Sequence, residues 1–278
     1  RMPVDYEHLM SLRSRSEAVS YADRDTLLYA LAIGLGRDPG NRDELPYVSG
    51  RAGLHALPTL ANVLAPGGLL QDCGWDAARV VHYADSLTLD RPLEEAGSLL
   101  IDSAVVSVVD QGADTGALIV VESRARRARD EHPIFTLRRT LLARGDGGLG
   151  GPRGVAGVAP NAIPARAPDL SAVLTTRADQ GLLFRLCRDR EPGYVHPAAR
   201  HLDEACIYGI ACHAVLRVIC EYDHTLISSF AASFAGPVTP GERLQAELWQ
   251  DANVVSFRLR VPERDTVVLD NGRCVLAA

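Results

Sequence analysis

Lysine is absent from this sequence: all 29 of its basic residues are arginine. Schiff-base and pyridoxal chemistry depend on a lysine amine, so both are excluded for this chain. Long apolar runs are missing too, because no stretch approaches the roughly 18 uninterrupted apolar residues of a membrane-spanning helix. With no signal-peptide pattern either, the sequence predicts a cytoplasmic protein with no membrane partner.

An excess of basic charge is absent as well. The formal net charge at pH 7 is −6 and the pI is about 5.8, whereas a nucleic-acid-binding protein needs a basic face. We therefore expect no nucleic-acid partner. The contents of hydrophobic residues, 47%, and of charged residues, 23%, are those of an ordinary folded protein. Its 278 residues suffice for one large domain or two smaller ones.

The cysteines form no C-x-x-C pair, and we interpret them as reduced thiols, most of them buried. They are Cys73, Cys187, Cys206, Cys212, Cys220 and Cys274. The residue types allow a zinc site formed by His196, His201, Cys206 and Cys212, but their spacings match no usual ligand pattern. We expect neither a metal nor a cofactor.

The two halves of the chain show similar patterns. In the first half, helical patterns cover 4–20, 23–36 and 54–64, and strand patterns cover 80–93, 99–112, 117–128 and 133–145. In the second half, a strand pattern at 182–187 and a buried helix at 209–221 precede strand patterns at 225–234, 242–251, 253–263 and 266–277. The last of these contains a tight-turn signal at 270–272. This repetition indicates an internal duplication.

The segment 145–160 is rich in glycine, and it predicts a linker rather than a phosphate loop because no Lys-Ser/Thr pair follows the glycines. We therefore predict an N-terminal repeat over 1–148, a Gly/Pro/Ala linker over 149–168 and a C-terminal repeat over 169–278.

The region 184–213 is the best candidate for a site. A polar loop with Asp189, Glu191, Tyr194 and His196 leads into the apolar helix, whose pattern begins near Gly209. The N-terminus of a helix has free N–H groups and is polarised for an anionic oxygen. We expect this loop and the helix start to form the site.

Four segments share a family pattern: ALPTLANVL, FTLRRTLLARGDGGLGG, AGPVTPGERLQAELWQ and VVLDNGRCVLA. Together they resemble the MaoC-like, (R)-specific enoyl-CoA hydratases in their two-repeat, double hot-dog form, and the resemblance covers essentially the whole chain. It implies an α+β fold of two repeats, each a long buried helix wrapped by an antiparallel β-sheet. It also implies fatty-acyl or related thioester substrates and a ligand tunnel between the repeats.

The catalytic stretch of that family reads roughly G-D-x-N-P-x-H-x-D-P and is followed by H-G at the second helix. The matching residues here are Asp189, Pro192, Pro197 and Gly209. Five positions depart: Arg188 replaces the glycine, Glu191 the asparagine, Tyr194 the catalytic histidine, His196 the second aspartate and Tyr208 the histidine of H-G.

These departures change the predicted chemistry. With a pKa near 10, tyrosine cannot replace histidine as a base near neutral pH. We therefore interpret the chain as a hydratase scaffold repurposed as a cyclase or pericyclase, which closes a polyunsaturated, polyketide-like substrate in a [4+2] manner by confinement. In this interpretation Tyr194 and Tyr208 donate hydrogen bonds at the pocket wall, and Asp189 and the helix start at Gly209 complete the catalytic set. The expected substrate contacts are Arg188, Glu191 and His196.

Two other hypotheses stay open. An (R)-specific 2-enoyl-CoA hydratase or dehydratase would use Asp189 with His196, and a non-catalytic protein would only bind acyl chains. All three take a small acyl or polyene molecule as partner, free or thioester-linked, and leave a homodimer open.

Overall fold

The computed structural model describes residues 4–50, 53–71, 73–75, 77–154, 161–188 and 200–277. Its strands are β1 (Arg13–Tyr21), β2 (Val80–Leu89), β3 (Gly97–Asp110), β4 (Ala117–Arg127), β5 (Pro133–Ala143), β6 (Leu170–Thr175), β7 (Ile227–Phe234), β8 (Arg243–Asp251), β9 (Val254–Val261) and β10 (Thr266–Leu276). Its α-helices are α1 (Tyr6–Ser11), α2 (Asp23–Ala32), α3 (Leu45–Val48), α4 (Ala61–Leu64), α5 (Gln180–Arg185) and α6 (Glu204–Val218). Among the residues of these ranges, no helix combines the length and the apolar character needed to cross a bilayer.

All the strands join one antiparallel sheet in the order β1-β3-β4-β5-β2-β7-β10-β9-β8-β6. The two halves of the chain meet where β2 pairs with β7, with Ala84 opposite Ser233 and Asp85 opposite Ala232. Outward from this seam, the strand order of one half repeats that of the other. The α+β fold of two helix-and-sheet repeats is therefore confirmed, and the limits of the repeats at 148 and 169 stay predictions.

The buried helix α6 begins at Glu204, so the prediction that it begins near Gly209 is wrong. Asp203 is the N-cap, and its side chain accepts a hydrogen bond from the Ala205 N–H at 2.8 Å. Such a cap satisfies one of the free N–H groups at a helix start. From Ala205 to Leu216 every side chain is buried, which agrees with the apolar pattern.

Gly209 lies inside α6, at the contact with α2. A Cβ atom built on Gly209 would lie 2.6 Å from Ile33 Cγ2 and 2.7 Å from the Tyr29 hydroxyl oxygen. Real Cβ contacts are longer than this, so the glycine leaves room for the side chains of Tyr29 and Ile33 to pack against α6. Its importance is in packing and not in starting the helix.

Three further predictions about secondary structure are wrong in whole or in part. Residues 182–187 do not form a strand, because most of them belong to helix α5 (Gln180–Arg185) and the turn that follows it. The segment 4–20, predicted as a short helix, does contain helix α1, but most of strand β1 follows it, at an edge of the sheet that the sequence does not reveal. The turn signal at 270–272 lies within strand β10, where Asn271 adopts a φ of 55° at an irregularity in the pairing with β7.

Replacing Gly209 by valine should lower the free energy of unfolding by about 3 kcal/mol, since overpacking a tight helix contact costs this order of energy. Urea denaturation measures the change. Gly67→Val is the control: no heavy atom of the described residues lies within 4 Å of the position that a Cβ atom would take at Gly67, and we expect a change within about 0.5 kcal/mol. Equal losses in both variants would contradict the packing role.

Candidate active site

Four of the predicted site residues, Asp189, Glu191, Tyr194 and His196, lie outside the described residues. Their roles stay predictions. The neighbouring Arg188 is described, and its guanidinium lies 2.9 and 3.1 Å from the two carboxylate oxygens of Asp203. This ion pair joins the chain after α5 to the N-cap of α6, so the structure gives Arg188 a contact that holds the helix start. Its predicted contact with substrate stays a prediction.

Tyr208 was predicted as a hydrogen-bond donor at the pocket wall, and that role stays a prediction. Its side chain is fully buried, and its hydroxyl donates a hydrogen bond to the Phe230 carbonyl oxygen. The ring packs edge-on against Phe230, with 5.0 Å between the centroids. Burial raises the pKa of the Tyr208 hydroxyl well above its ordinary value. The hydroxyl is therefore a structural donor that ties α6 to β7.

Gly209 cannot supply a helix N-terminus to polarise a carbonyl, because its own N–H lies within α6. At the true start of the helix, Asp203 occupies the Ala205 N–H with its side chain and accepts from Cys206 and Ile207 with its backbone carbonyl. The N–H groups of Ala205, Cys206 and Ile207 therefore already donate hydrogen bonds within the protein.

A histidine–aspartate pair that the sequence analysis did not single out lies on strand β2. His82 Nε2 is 2.7 Å from Asp85 Oδ1, and the side-chain exposures are 10% for His82 and 0% for Asp85. Asp85 Oδ2 accepts a second hydrogen bond from the Asn62 side-chain amide at 2.6 Å. Arg139 Nε lies 3.7 Å from Asp85 Oδ1. A buried carboxylate needs such partners, because burying an unpaired charge is costly.

A β-bulge brings the pair together. Residues three apart in a regular strand face opposite sides of the sheet. His82 pairs with Leu141 and Ala84 with Thr140, so β2 contains one extra residue, Tyr83, relative to β5. Because of the extra residue, the side chains of His82 and Asp85 lie on the same face of the sheet. Bulges often redirect side chains in this way next to active sites.

The pair lies near the start of α6. The ring of Phe234 is 4.7 Å from that of His82 and 6.4 Å from that of Tyr208, between centroids. Burial, reinforced by the nearby Asp203 carboxylate, raises the pKa of the Glu204 side chain, although the charges of His82 and Arg188 oppose the shift. A histidine held by a carboxylate and a half-buried carboxyl group with a raised pKa are groups that can exchange protons. This region is the candidate active site.

The sequence contained only a weak signal for this pair. The strand pattern at 80–93 includes two ionisable residues, His82 and Asp85. This strand becomes buried where the sheets of the two repeats join. Strict alternation along a strand would put them on opposite faces, and nothing in a single sequence marks the bulge at Tyr83.

Two other histidine clusters lie away from this region. His213 Nε2 is 3.1 Å from Glu44 Oε1, beside a cavity of about 210 Å³ between α6, β6 and the loop after α2. His55 and His224 pack with 4.6 Å between ring centroids.

The described part of the chain contains no cluster that could hold a metal ion. Cys212 is one of the four zinc ligands considered from the sequence. Burial raises the pKa of its thiol to about 12, which disfavours the thiolate that zinc binds.

Comparison with protein families gives a match over residues 19–145 to the N-terminal domain of MFE-2 hydratase 2. The chain is 30% identical to the enoyl-CoA hydratase ChsH3 of Mycobacterium tuberculosis, over 98% of each chain. It is 32% identical to 3-hydroxyacyl-thioester dehydratase Y of the same organism, over 91% of each chain.

Among solved structures, the crystal structure of a MaoC-like dehydratase from Phytophthora capsici superposes with a TM-score of 0.83. The superposition covers 99% of each chain at 24% sequence identity. At this identity the likeness shows the fold, the double hot-dog, with both repeats present.

The N-cap of α6 gives a prediction about stability. Replacing Asp203 by alanine removes both the cap and the ion pair with Arg188, and should cost about 2 kcal/mol of unfolding free energy. Asp203→Asn keeps a capping oxygen and loses only the charge, so about 1 kcal/mol is expected. Urea denaturation compares the two variants. An asparagine variant as unstable as the alanine variant would show that the cap contributes nothing.

The His55–His224 cluster predicts a dependence of stability on pH. Burial, followed by the charge of His55, lowers the pKa of His224 to about 4, below the value of about 6.5 in an unfolded chain. Between these values the unfolded state binds the proton first, so stability falls as the pH is lowered from about 6.5 to 4. Because His224 is only partly buried, we expect a loss of the order of 1–2 kcal/mol.

Urea denaturation at pH 7 and pH 4.5 measures this loss, and His224→Gln should reduce it. His132→Gln is the control, because His132 is 51% exposed and should leave the dependence on pH as it is in the parent protein. An unchanged slope in the His224 variant would mean that other groups cause the loss.

Proposed function

This chain belongs to the MaoC-like hot-dog family of hydratases and dehydratases, and we propose that it catalyses the reversible addition of water to the C2=C3 double bond of an enoyl thioester. Two relatives support this proposal along nearly the whole chain, one named as an enoyl-CoA hydratase and the other as a 3-hydroxyacyl-thioester dehydratase. These names describe the two directions of one reaction. The small-molecule partner is then an acyl thioester.

The observation that carries the proposal is the group of proton-exchanging side chains at the start of α6. Hydration needs a proton to leave the water and a proton to reach C2, and one group or two can carry out these transfers. The His82–Asp85 pair and Glu204 lie together there, on a strand at the seam and on the buried helix. A site that only confined a polyene would need no such groups.

The cyclase hypothesis has less support. It relied on Tyr208 as a donor at the pocket wall and on a helix start at Gly209, whereas the Tyr208 hydroxyl donates to the Phe230 carbonyl oxygen and α6 begins at Glu204. The named relatives act as a hydratase and a dehydratase. The alternative of a hydratase or dehydratase therefore fits better. Whether Asp189 and His196 take part in it stays a prediction.

A direct assay tests the proposal. The purified protein is incubated with 2-butenoyl-CoA and with longer 2-enoyl-CoAs, and formation of the 3-hydroxyacyl-CoA is followed by chromatography. We expect a kcat/KM of about 10⁴ M⁻¹ s⁻¹ or more for at least one chain length. Dehydration of the matching 3-hydroxyacyl-CoA should reach the same equilibrium ratio of 3-hydroxyacyl-CoA to enoyl-CoA, starting from the hydrated compound.

The saturated acyl-CoA of equal length is the matched control, because it can bind but has no double bond to hydrate. Absence of water addition at every chain length would contradict the proposal. If the protein then accelerated the closure of a linear polyene, the cyclase hypothesis would take its place.

A further inference from the structure

The His82–Asp85 pair differs from the buried His213–Glu44 pair in the exposure of the histidine side chain, which is 10% for His82 and 5% for His213. Only Nε2 of His82 is bonded, to Asp85, and within the described ranges no group hydrogen-bonds Nδ1. The His82 side chain is 10% exposed and that of Asp85 is not exposed at all, so the pair is open to solvent only on the histidine side. In the His213–Glu44 pair, by contrast, His213 Nδ1 is buried without a described partner.

The partners of Asp85 fix the state of the ring. A carboxylate that accepts from Nε2 holds the proton on that nitrogen, which leaves the lone pair of the neutral ring on Nδ1. Asp85 is itself held by the Asn62 amide at 2.6 Å, and Arg139 donates to the Asn62 carbonyl oxygen at 3.0 Å. The chain from Arg139 through Asn62 and Asp85 to His82 therefore orients the free nitrogen.

We propose that His82 is the acid–base catalytic residue of this site and that Asp85 is its positioning residue; this assignment rests on the proposed hydratase function. In hydration, Nδ1 of His82 takes a proton from water as the water oxygen bonds to C3. The electrons of the C2=C3 bond move into the thioester as an enolate. The imidazolium then returns its proton to C2, so that H and OH are added and the ring is neutral again. Dehydration follows the same steps in reverse.

The charges around the ring suit this cycle. Asp85 faces His82 from the same strand and Glu204 from the start of α6, while Arg139 on β5 approaches Asp85. A carboxylate behind the ring stabilises the imidazolium that forms during the reaction, as in other histidine–carboxylate pairs.

The kinetic test uses His82→Ala and Asp85→Asn in the full chain. We expect His82→Ala to lower kcat by roughly a thousandfold with KM changed by no more than about threefold. Added imidazole should restore part of the rate, because it can enter the space left by the side chain. Asp85→Asn should lower kcat by roughly a hundredfold, since the amide no longer selects the reactive tautomer.

His213→Gln is the matched control for a merely structural loss. It breaks a buried histidine–carboxylate pair on α6 but leaves His82 untouched, so we expect a lower melting temperature with kcat within about twofold of the parent protein. A His82→Ala variant that is folded by circular dichroism and keeps more than a tenth of kcat would overturn the assignment. So would a loss that imidazole does not restore and that His213→Gln reproduces.

A spectroscopic readout does not depend on turnover. Nitrogen NMR of the ring should show the proton of neutral His82 on Nε2 in the parent protein, and a mixture of tautomers in Asp85→Asn. A proton on Nδ1 would overturn the assignment whatever the activity. An inactive parent protein would instead refute the proposed function, and the assignment with it, whereas an active parent with an unaffected His82→Ala variant would refute the assignment alone.

Discussion

The pairing of β2 with β7 is the constraint on which the rest of the structure depends. It turns two five-stranded sheets into one, and it covers an edge that each half would otherwise expose to other chains. The buried helix α6 carries Gly209, where the side chains of Tyr29 and Ile33 pack. Because Asp85 lies on this seam, opposite Ala232, the strand that joins the halves also carries the candidate acid–base pair.

The polar network behind His82 is stable only as a whole. Asp85 is fully buried, so its charge must be balanced by the ring of His82, the amide of Asn62 and the more distant Arg139. Removing one partner of a buried charge usually costs more than the pair contributes. The network therefore favours a single arrangement of its members, which is useful in a group that must present one nitrogen repeatedly in the same direction.

The sequence predicted what periodicity can show. The β-branched runs gave strands β2 to β5 and β7 to β9, and the absence of a polar face showed that α6 is buried. It did not show where α6 begins, because the cap at Asp203 is one polar residue among several, whereas Gly209 looks like a boundary. Tyr208 was assigned to a pocket wall because it stands at the histidine of the family's H-G; its burial and its partner Phe230 depend on tertiary packing, which the sequence does not show. His82 and Asp85 were missed because a rule of strict alternation separates them.

The bulge at Tyr83 has a consequence for how related sites are compared. The bulge absorbs the extra residue Tyr83. The spacing H-x-x-D in this chain is therefore equivalent in space to H-x-D in a regular strand. A relative with one residue fewer could present the same pair, although an alignment without gaps would place its histidine or its aspartate in a different column. Conversely, a relative with identical letters but a regular strand would not form the pair. Recognising this site across relatives requires the register of β2 against β5, and the letters alone are insufficient.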